Sequence, residues 1–258
     1  MDSTPKVAPP APGLVSESLE EGRWLFRWRS YPPVVVLVYV LAATAARPDP
    51  MGGSAAMAVW AATGIALGVL GLVIRGWTVG HVAIGTSGRG TKELRAEELN
   101  TGGIYSLVRH PLYLGNFLMW IGVAAFAGKP FVILVTILVF WLYYERIMMA
   151  EERFLFEQFG DAFAAWAART PPFVPSFREW RPWPYPFSLR FVLGRDYQAL
   201  YGFVASTAAV ALVRVWALHR GWTQARPWVL YFAAGTLAYV VLHTLKRRTR
   251  LLEPRDAR

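Results

Sequence analysis

Residues 111–152 read PLYLGNFLMWIGVAAFAGKPFVILVTILVFWLYYERIMMAEE. Neither Pro111–Gly128 nor Pro130–Tyr144 contains Asp, Glu, Lys or Arg, and only Lys129 separates them. Gly-Lys-Pro is a turn, so the two apolar runs form a helical hairpin. Pro130–Tyr144 is short, but its helical pattern continues through Glu145 and beyond. At 1.5 Å per residue, Pro111 lies about 26 Å from Gly128, and Glu151 about 32 Å from Pro130. The far ends of the hairpin therefore meet within roughly one helical turn of the same height.

Four more charge-free apolar stretches flank this hairpin: Ser30–Ala46, Pro50–Ile74, Tyr197–Val213 and Pro227–Leu245. A helix that spans a membrane needs about 20 residues, with a range of roughly 17–25. The expected fold is an all-α integral membrane protein of about six transmembrane helices. Composition agrees. Charged residues make up 17% of the 258, against roughly 25% in globular chains. Twelve Trp, eleven Tyr and fifteen Phe suit rings at a membrane–water boundary. The absence of cysteine excludes a disulfide framework, a Cys-ligated metal site and a thiol nucleophile. In a soluble protein a net charge of +10 would suggest nucleic acid, but its distribution points elsewhere. With the N-terminus taken as cytoplasmic, twenty-two Lys and Arg fall on the side of the termini. Five (Arg47, Lys129, Arg214, Arg220, Arg226) fall on the other. This positive-inside bias puts both termini in the cytoplasm and directs the basic excess to anionic lipid. A cysteine-free chain with no signal peptide and no eukaryotic targeting signal fits a bacterial inner membrane.

The chain divides into a cytoplasmic tail (1–29), two transmembrane helices with a cytoplasmic loop (30–96), a core (97–196), and a C-terminal transmembrane hairpin with a basic tail (197–258). The tail is Pro-rich at first, then becomes an amphipathic lead-in carrying Trp24, Phe26 and Trp28. The loop contains GTSGRG at 85–90. This is not a dinucleotide fingerprint, since no strand precedes it. The core ends in PPFVPSFREWRPWPYPF, which cannot stay helical because each Pro removes a donor and clashes with the preceding turn. His81, His219 and His243 lack metal-ligand spacing, so no metal site is expected.

The hairpin brings Arg109, His110 and Tyr113 on one helix to Arg146, Glu151 and Glu152 on the other. Pro111 suits a first helical turn, whose positive dipole end favours an anion. Two carboxylates can accept from hydroxyls or an amine, and Tyr105 and Tyr113 offer faces to a sulfonium or ammonium. S-adenosylmethionine combines a carboxylate, a ribose and a positive centre, and would use all of them. A lipid headgroup on Arg109 and His110, with solvated carboxylates above, is the simpler alternative.

TGGIYSLVRHPLYLGNFLMW at 101–120, EERFLFEQFG at 151–160 and TPPFVP at 170–175 together resemble the isoprenylcysteine carboxyl methyltransferase family, to which phospholipid N-methyltransferases look related. The resemblance covers roughly residues 97–175 and implies a membrane enzyme using S-adenosylmethionine at a cytoplasm-facing site. It implies cofactor contacts from Leu99, Asn100 and Tyr105 around the adenosine. Arg109, His110, Pro111, Leu112 and Tyr113 would surround the methionine end, and Glu151 would hold the cofactor from the facing helix. Where the family often carries two Tyr, this chain has Phe163 and Trp166. Where the carboxyl methyltransferases carry an Arg four residues before the cofactor Glu, it has Ile147. Arg146 is then the residue expected to orient a lipid-like or isoprenoid acceptor, and Glu152 the base if that acceptor is an amine. Membrane reductases of the sterol type look similar, but Leu112 and Asn116 stand where those proteins commonly have Asn and an acidic residue. A non-enzymatic protein keeping the fold is disfavoured by the intact His110, Tyr113 and Glu151.

Overall fold

The computed structural model describes residues 13–48, 54–82, 96–249 and 251–252. Among them every regular element is helical. In order these are α1 (Leu14–Trp28), α2 (Pro32–Ala46), α3 (Ser54–His81), a 3₁₀ turn (Gly103–Ser106), α4 (Pro111–Phe126), α5 (Pro130–Phe159), α6 (Asp161–Ala167), α7 (Leu189–Arg195), α8 (Tyr197–Ala217) and α9 (Trp222–Arg248). The Pro-rich start of the tail, the Asp49-Pro50 and Gly52-Gly53 turn, GTSGRG and Arg250 lie outside the described residues. The loop expected from Arg75 begins later, because α3 runs on through His81.

All six apolar stretches form helices, and the chain is an all-α integral membrane protein. Among the described residues it has four or five candidate spans and not six. Helices α3, α5, α8 and α9 are each long and apolar enough to cross, and α1 with α2 makes a fifth candidate as a pair bent by 72°. Helix α4 has 16 residues, about 24 Å at 1.5 Å each, against a hydrocarbon core of about 30 Å. Its shortness has a local cause. Pro111 fixes its first turn, and the chain before it is loop and 3₁₀ backbone that lines a cavity, where such backbone is tolerated at depth.

Large apolar side chains stay exposed along the helix flanks, among them Val35 and Val38 on α2, Val59 on α3, Leu138 on α5 and Leu237 on α9. Patches of this extent need a nonpolar surrounding, which the acyl chains of a bilayer supply. Between helices the sequence uses small residues instead. A Cβ on Gly64 of α3 would lie 2.5 Å from the Gly122 carbonyl of α4, and one on Gly71 2.5 Å from the Gly115 carbonyl. Such glycines let two backbones touch, the usual route to tight packing where lipid removes the hydrophobic drive between helices. Buried Thr44, Thr136 and Thr207 donate to carbonyls one turn back at 2.8, 2.7 and 2.9 Å. Their hydroxyls therefore need no water.

The hairpin turn at Gly128, φ +71°, is capped by cations. Lys129 donates to the Arg47 carbonyl and Arg214 donates to the Phe126 carbonyl at 2.8 Å. Burial, with Arg214 and Arg47 nearby, holds the Lys129 ammonium below its ordinary pKa. Three of the five basic residues grouped on one side by the sequence thus meet at one end of the bundle, opposite the Tyr113–Glu151 end of the α4–α5 hairpin.

Candidate functional site

At that other end residues 100–110, loop backbone around the 3₁₀ turn, are tied down by the Pro- and Trp-rich segment. Arg109 and His110 donate their amides to the carbonyls of Pro171 and Pro172 at 2.9 and 3.2 Å, and Gly103 donates to Arg181 at 2.9 Å. A prolyl residue has no N–H to give but a full carbonyl to offer, so Pro171 and Pro172 only accept, while Ser176 and Arg181 further along this strap donate their amides to the Leu107 carbonyl and Ser106 Oγ at 2.9 and 3.1 Å. Gly103 adopts φ +59°, and a Cβ there would meet the Trp183 ring at 2.0 Å, so both the turn and the packing require glycine. Trp166 Nε1 donates to the Tyr105 carbonyl at 3.0 Å, and the Tyr185 hydroxyl donates to Glu98 at 2.8 Å.

This framework aims a polar cluster across the hairpin. The Tyr113 hydroxyl donates to Glu151 Oε1 at 2.7 Å. His110 Nε2 lies 2.8 Å from Glu152 Oε1, and Nδ1 lies 3.6 Å from Glu151 Oε2. Arg109 approaches Glu152 Oε2 at 3.2 Å. Burial alone would push the His110 imidazole down, but hydrogen bonds and charge from Glu151 and Glu152 outweigh it and hold the pKa above the ordinary value. Burial, with Glu151 nearby, raises the Tyr105 phenol far above its usual range, so it stays a neutral donor. In the first turn of α4, Tyr113 and Leu114 donate to the His110 carbonyl at 3.1 and 3.0 Å. The helix end therefore contributes its dipole more than free donors.

The cluster heads a cavity of about 640 Å³, within the size range of small-molecule sites. Leu99, Asn100, Tyr105, Arg109, His110, Pro111, Leu112, Tyr113 and Glu151 all line it. Arg146 and Glu152 do not. Arg146 pairs with Glu21 of α1 at 2.8 Å on the exposed flank of α5, while Ile147 is fully buried. The Arg146 stem leads toward α1 and not into the cavity. Glu152 engages one oxygen with His110 and the other with Arg109 and lies behind the cavity wall.

Several lining residues escaped the sequence reading. Arg75 of α3 pairs with Asp196 at the α7–α8 junction and donates to Asn116 Oδ1 at 2.6 Å. Asn116 in turn donates to the Tyr144 hydroxyl at 3.4 Å. Asn116 was findable, because a carboxamide inside a charge-free apolar run is costly there and marks a function or a buried partner. Arg75 was hidden by placing the end of α3 at Ile74, about two turns before His81. Helix α8 contributes a wall through Gln198, Ala199, Gly202, Phe203 and Ser206. Among the described residues no group of three or more His, Asp or Glu is placed to hold a metal ion.

Fold and cavity define an integral membrane protein with a cavity whose polar head is built on a helical hairpin. The phospholipid methyltransferase family model matches residues 59–162. The cobalt-zinc-cadmium resistance protein CzcN of Cupriavidus metallidurans is 34% identical over 68% of this chain and 76% of its own length. The protein-S-isoprenylcysteine O-methyltransferase of Schizosaccharomyces pombe is 34% identical over 30% of this chain and 33% of its own. Arabidopsis thaliana protein-S-isoprenylcysteine O-methyltransferase B is also 34% identical, over 41% of this chain and 57% of its own. No solved structure matches significantly. The chain belongs to the isoprenylcysteine carboxyl methyltransferase-like family of membrane methyltransferases.

Proposed function

We propose that this chain binds S-adenosylmethionine at the polar head of the cavity and methylates a lipid-like acceptor that enters from the bilayer. The observation that carries this reading is the Tyr113–Glu151 hydrogen bond at 2.7 Å, which closes the hairpin at the cavity wall. The donor set fits the cofactor in charge and size. One carboxylate faces the space, a second lies behind it, and His110 and Arg109 balance both. Tyr105 and Trp166 supply aromatic surface, and the volume exceeds what a nucleoside-sized ligand needs, which leaves room for an acceptor head.

When bound, S-adenosylmethionine supplies a methyl group on a sulfonium; an acceptor lone pair takes it, and the S–C electron pair stays on sulfur. The residues of this chain do the rest by positioning and charge control. Glu151 accepts from ligand hydroxyls or an ammonium while Tyr113 fixes its rotamer. Glu152 holds His110 and Arg109 in register. Buried tyrosines and the strap keep bulk water from the sulfonium position. A carboxylate or phosphate acceptor needs no base under this arrangement. The reading places the head of the cavity at the cytoplasmic face of a bacterial inner membrane. Calorimetry in detergent tests it: wild-type protein should bind S-adenosylmethionine and not NADPH. Glu151→Gln should weaken binding roughly ten- to a hundredfold, the worth of a charged hydrogen bond. Binding of NADPH alone would sink the reading.

A further inference from the structure

Seven residues before Glu151 on α5, Tyr144 lines the cavity with only 3% of its surface exposed. Seven residues make about 10 Å of helix and nearly two whole turns, so Tyr144 shares the Glu151 face. Its ring cannot swing. It stacks on Phe140 with centroids 4.3 Å apart, and Tyr113 and Trp120 flank it at 4.9 and 5.8 Å. Asn116 Nδ2 approaches the hydroxyl at 3.4 Å, and Arg75 decides which way that bond runs. Anchored by Asp196, Arg75 donates to Asn116 Oδ1 at 2.6 Å. A guanidinium has donors only, so it takes the carboxamide oxygen and turns the NH₂ group toward Tyr144. The Tyr144 oxygen therefore accepts, and its own proton must point elsewhere. Among the described residues Asn116 is its one hydrogen-bond partner. Beyond this level the cavity walls are apolar, with Met119, Trp120 and Val123 on α4 and Val36, Leu37 and Val40 on α2.

We propose that the Tyr144 hydroxyl donates to an anionic oxygen, carboxylate or phosphate, on the headgroup of the methyl acceptor, whose apolar tail lies between α2 and α4. This rests on the methyltransferase reading of the cavity and names a residue that selects its acceptor. The donors run in one sense from Arg75 through Asn116 to Tyr144, and each bond polarises the next. A series that ends on O–H favours a lone pair over an ammonium, which brings only donors. It favours an oxyanion over an alcohol, because charge-assisted hydrogen bonds are the stronger. A cofactor held at Glu151 and a headgroup held at Tyr144 share one face of α5, which leaves the reacting methyl between them. One headgroup oxygen takes the methyl while the S–C pair passes to sulfur, and another stays on Tyr144. No proton is released.

Photo-crosslinking of the full chain in phosphatidylcholine nanodiscs provides the test, with diazirine-bearing palmitate, hexadecyl phosphate, hexadecylamine and hexadecane as probes. Palmitate or hexadecyl phosphate should label α2 and α4 peptides most strongly, and the stronger of the two distinguishes carboxylate from phosphate. Tyr144→Phe keeps the ring and its packing. It should lower anion labelling about tenfold or more and leave hexadecane labelling and S-adenosylmethionine affinity as in wild type. Asn116→Asp keeps the shape and the Arg75 bond but can only accept, so Tyr144 donates to it and no longer to the headgroup. Its added charge repels anions on any background. It should therefore lower anion labelling further on the wild-type background than on Tyr144→Phe. Anion labelling absent from wild type, or equal in wild type and Tyr144→Phe, would overturn the proposal. Strongest labelling by hexadecylamine, or an equal drop on both backgrounds, would do the same. Weaker S-adenosylmethionine binding in Tyr144→Phe would also overturn it, by placing the hydroxyl at the cofactor. A wild-type protein that binds no S-adenosylmethionine would instead overturn the underlying functional reading.

Discussion

Glu151 and Glu152 are neighbours with opposite tasks, because adjacent residues on a helix point about 100° apart. Glu151 faces the cavity and takes the Tyr113 hydroxyl, while Glu152 faces the loop and takes Arg109 and His110. The consequence is legible in pH. His110 is held protonated above its ordinary value by the two carboxylates, against the opposing effect of burial. A raised folded-state pKa contributes stability that is fully present below the unfolded value of about 6.5 and is lost as pH rises through the folded value. Wild-type protein should therefore lose melting temperature on the alkaline side of about 6.5, and His110→Gln should flatten that limb. Glu152→Gln should shift the limb to lower pH while weakening S-adenosylmethionine binding less than Glu151→Gln does. A superimposable pH profile for His110→Gln and wild type would refute this account. Arg146→Ala should change little, since its pair with Glu21 is half-exposed and such pairs contribute about 0–1 kcal/mol.

Helices α3 and α4 meet backbone to backbone, and this contact holds the short α4 at the height where Tyr113 reaches Glu151. A Cβ on Gly122 would sit 2.7 Å from the Gly64 carbonyl and 2.8 Å from the Gly68 amide. Backbone atoms cannot swing aside as a side chain can, so Gly122→Ala must separate the helices. Overpacking of this kind costs about 1–3 kcal/mol, and a lower melting temperature in detergent should accompany weaker cofactor binding. Gly202→Ala on α8, where an added Cβ meets nothing within 4 Å, should show no loss of stability. A Gly122→Ala protein as stable as wild type would show that the helices can yield. The hairpin was legible in the sequence because two charge-free runs around Gly-Lys-Pro allow few other folds, and rise per residue sets Pro111 against Glu151. The glycine contact was not, because isolated glycines in an apolar run declare no partner until two helices are set side by side. The direction of Arg146 was equally hidden. It depends on Glu21 of α1, an element that local periodicity does not place.

Across the whole molecule the apolar stretches and the grouping of charge were readable, while the depth of each helix was not. Nothing in the composition of Pro111–Gly128 says that α4 stops short, because its length is set by the loop that lines the cavity. The two ends of the bundle differ in chemistry. At one, Lys129 and Arg214 cap backbone carbonyls; at the other, Arg109, His110, Glu151 and Glu152 surround the cavity head. A cytosolic cofactor must reach that head, so the methyltransferase reading requires it to face the cytoplasm, and the basic excess near the termini requires the same orientation. Introduced cysteines can decide the matter, since the chain has none of its own. Lys129 is a poor position because it is buried, whereas Gly221, Glu179 and Thr249 are exposed. In intact cells Gly221→Cys should react with an impermeant maleimide, and Glu179→Cys and Thr249→Cys should react only after permeabilisation. The opposite pattern would turn the cavity head away from its cofactor and defeat orientation and functional reading together.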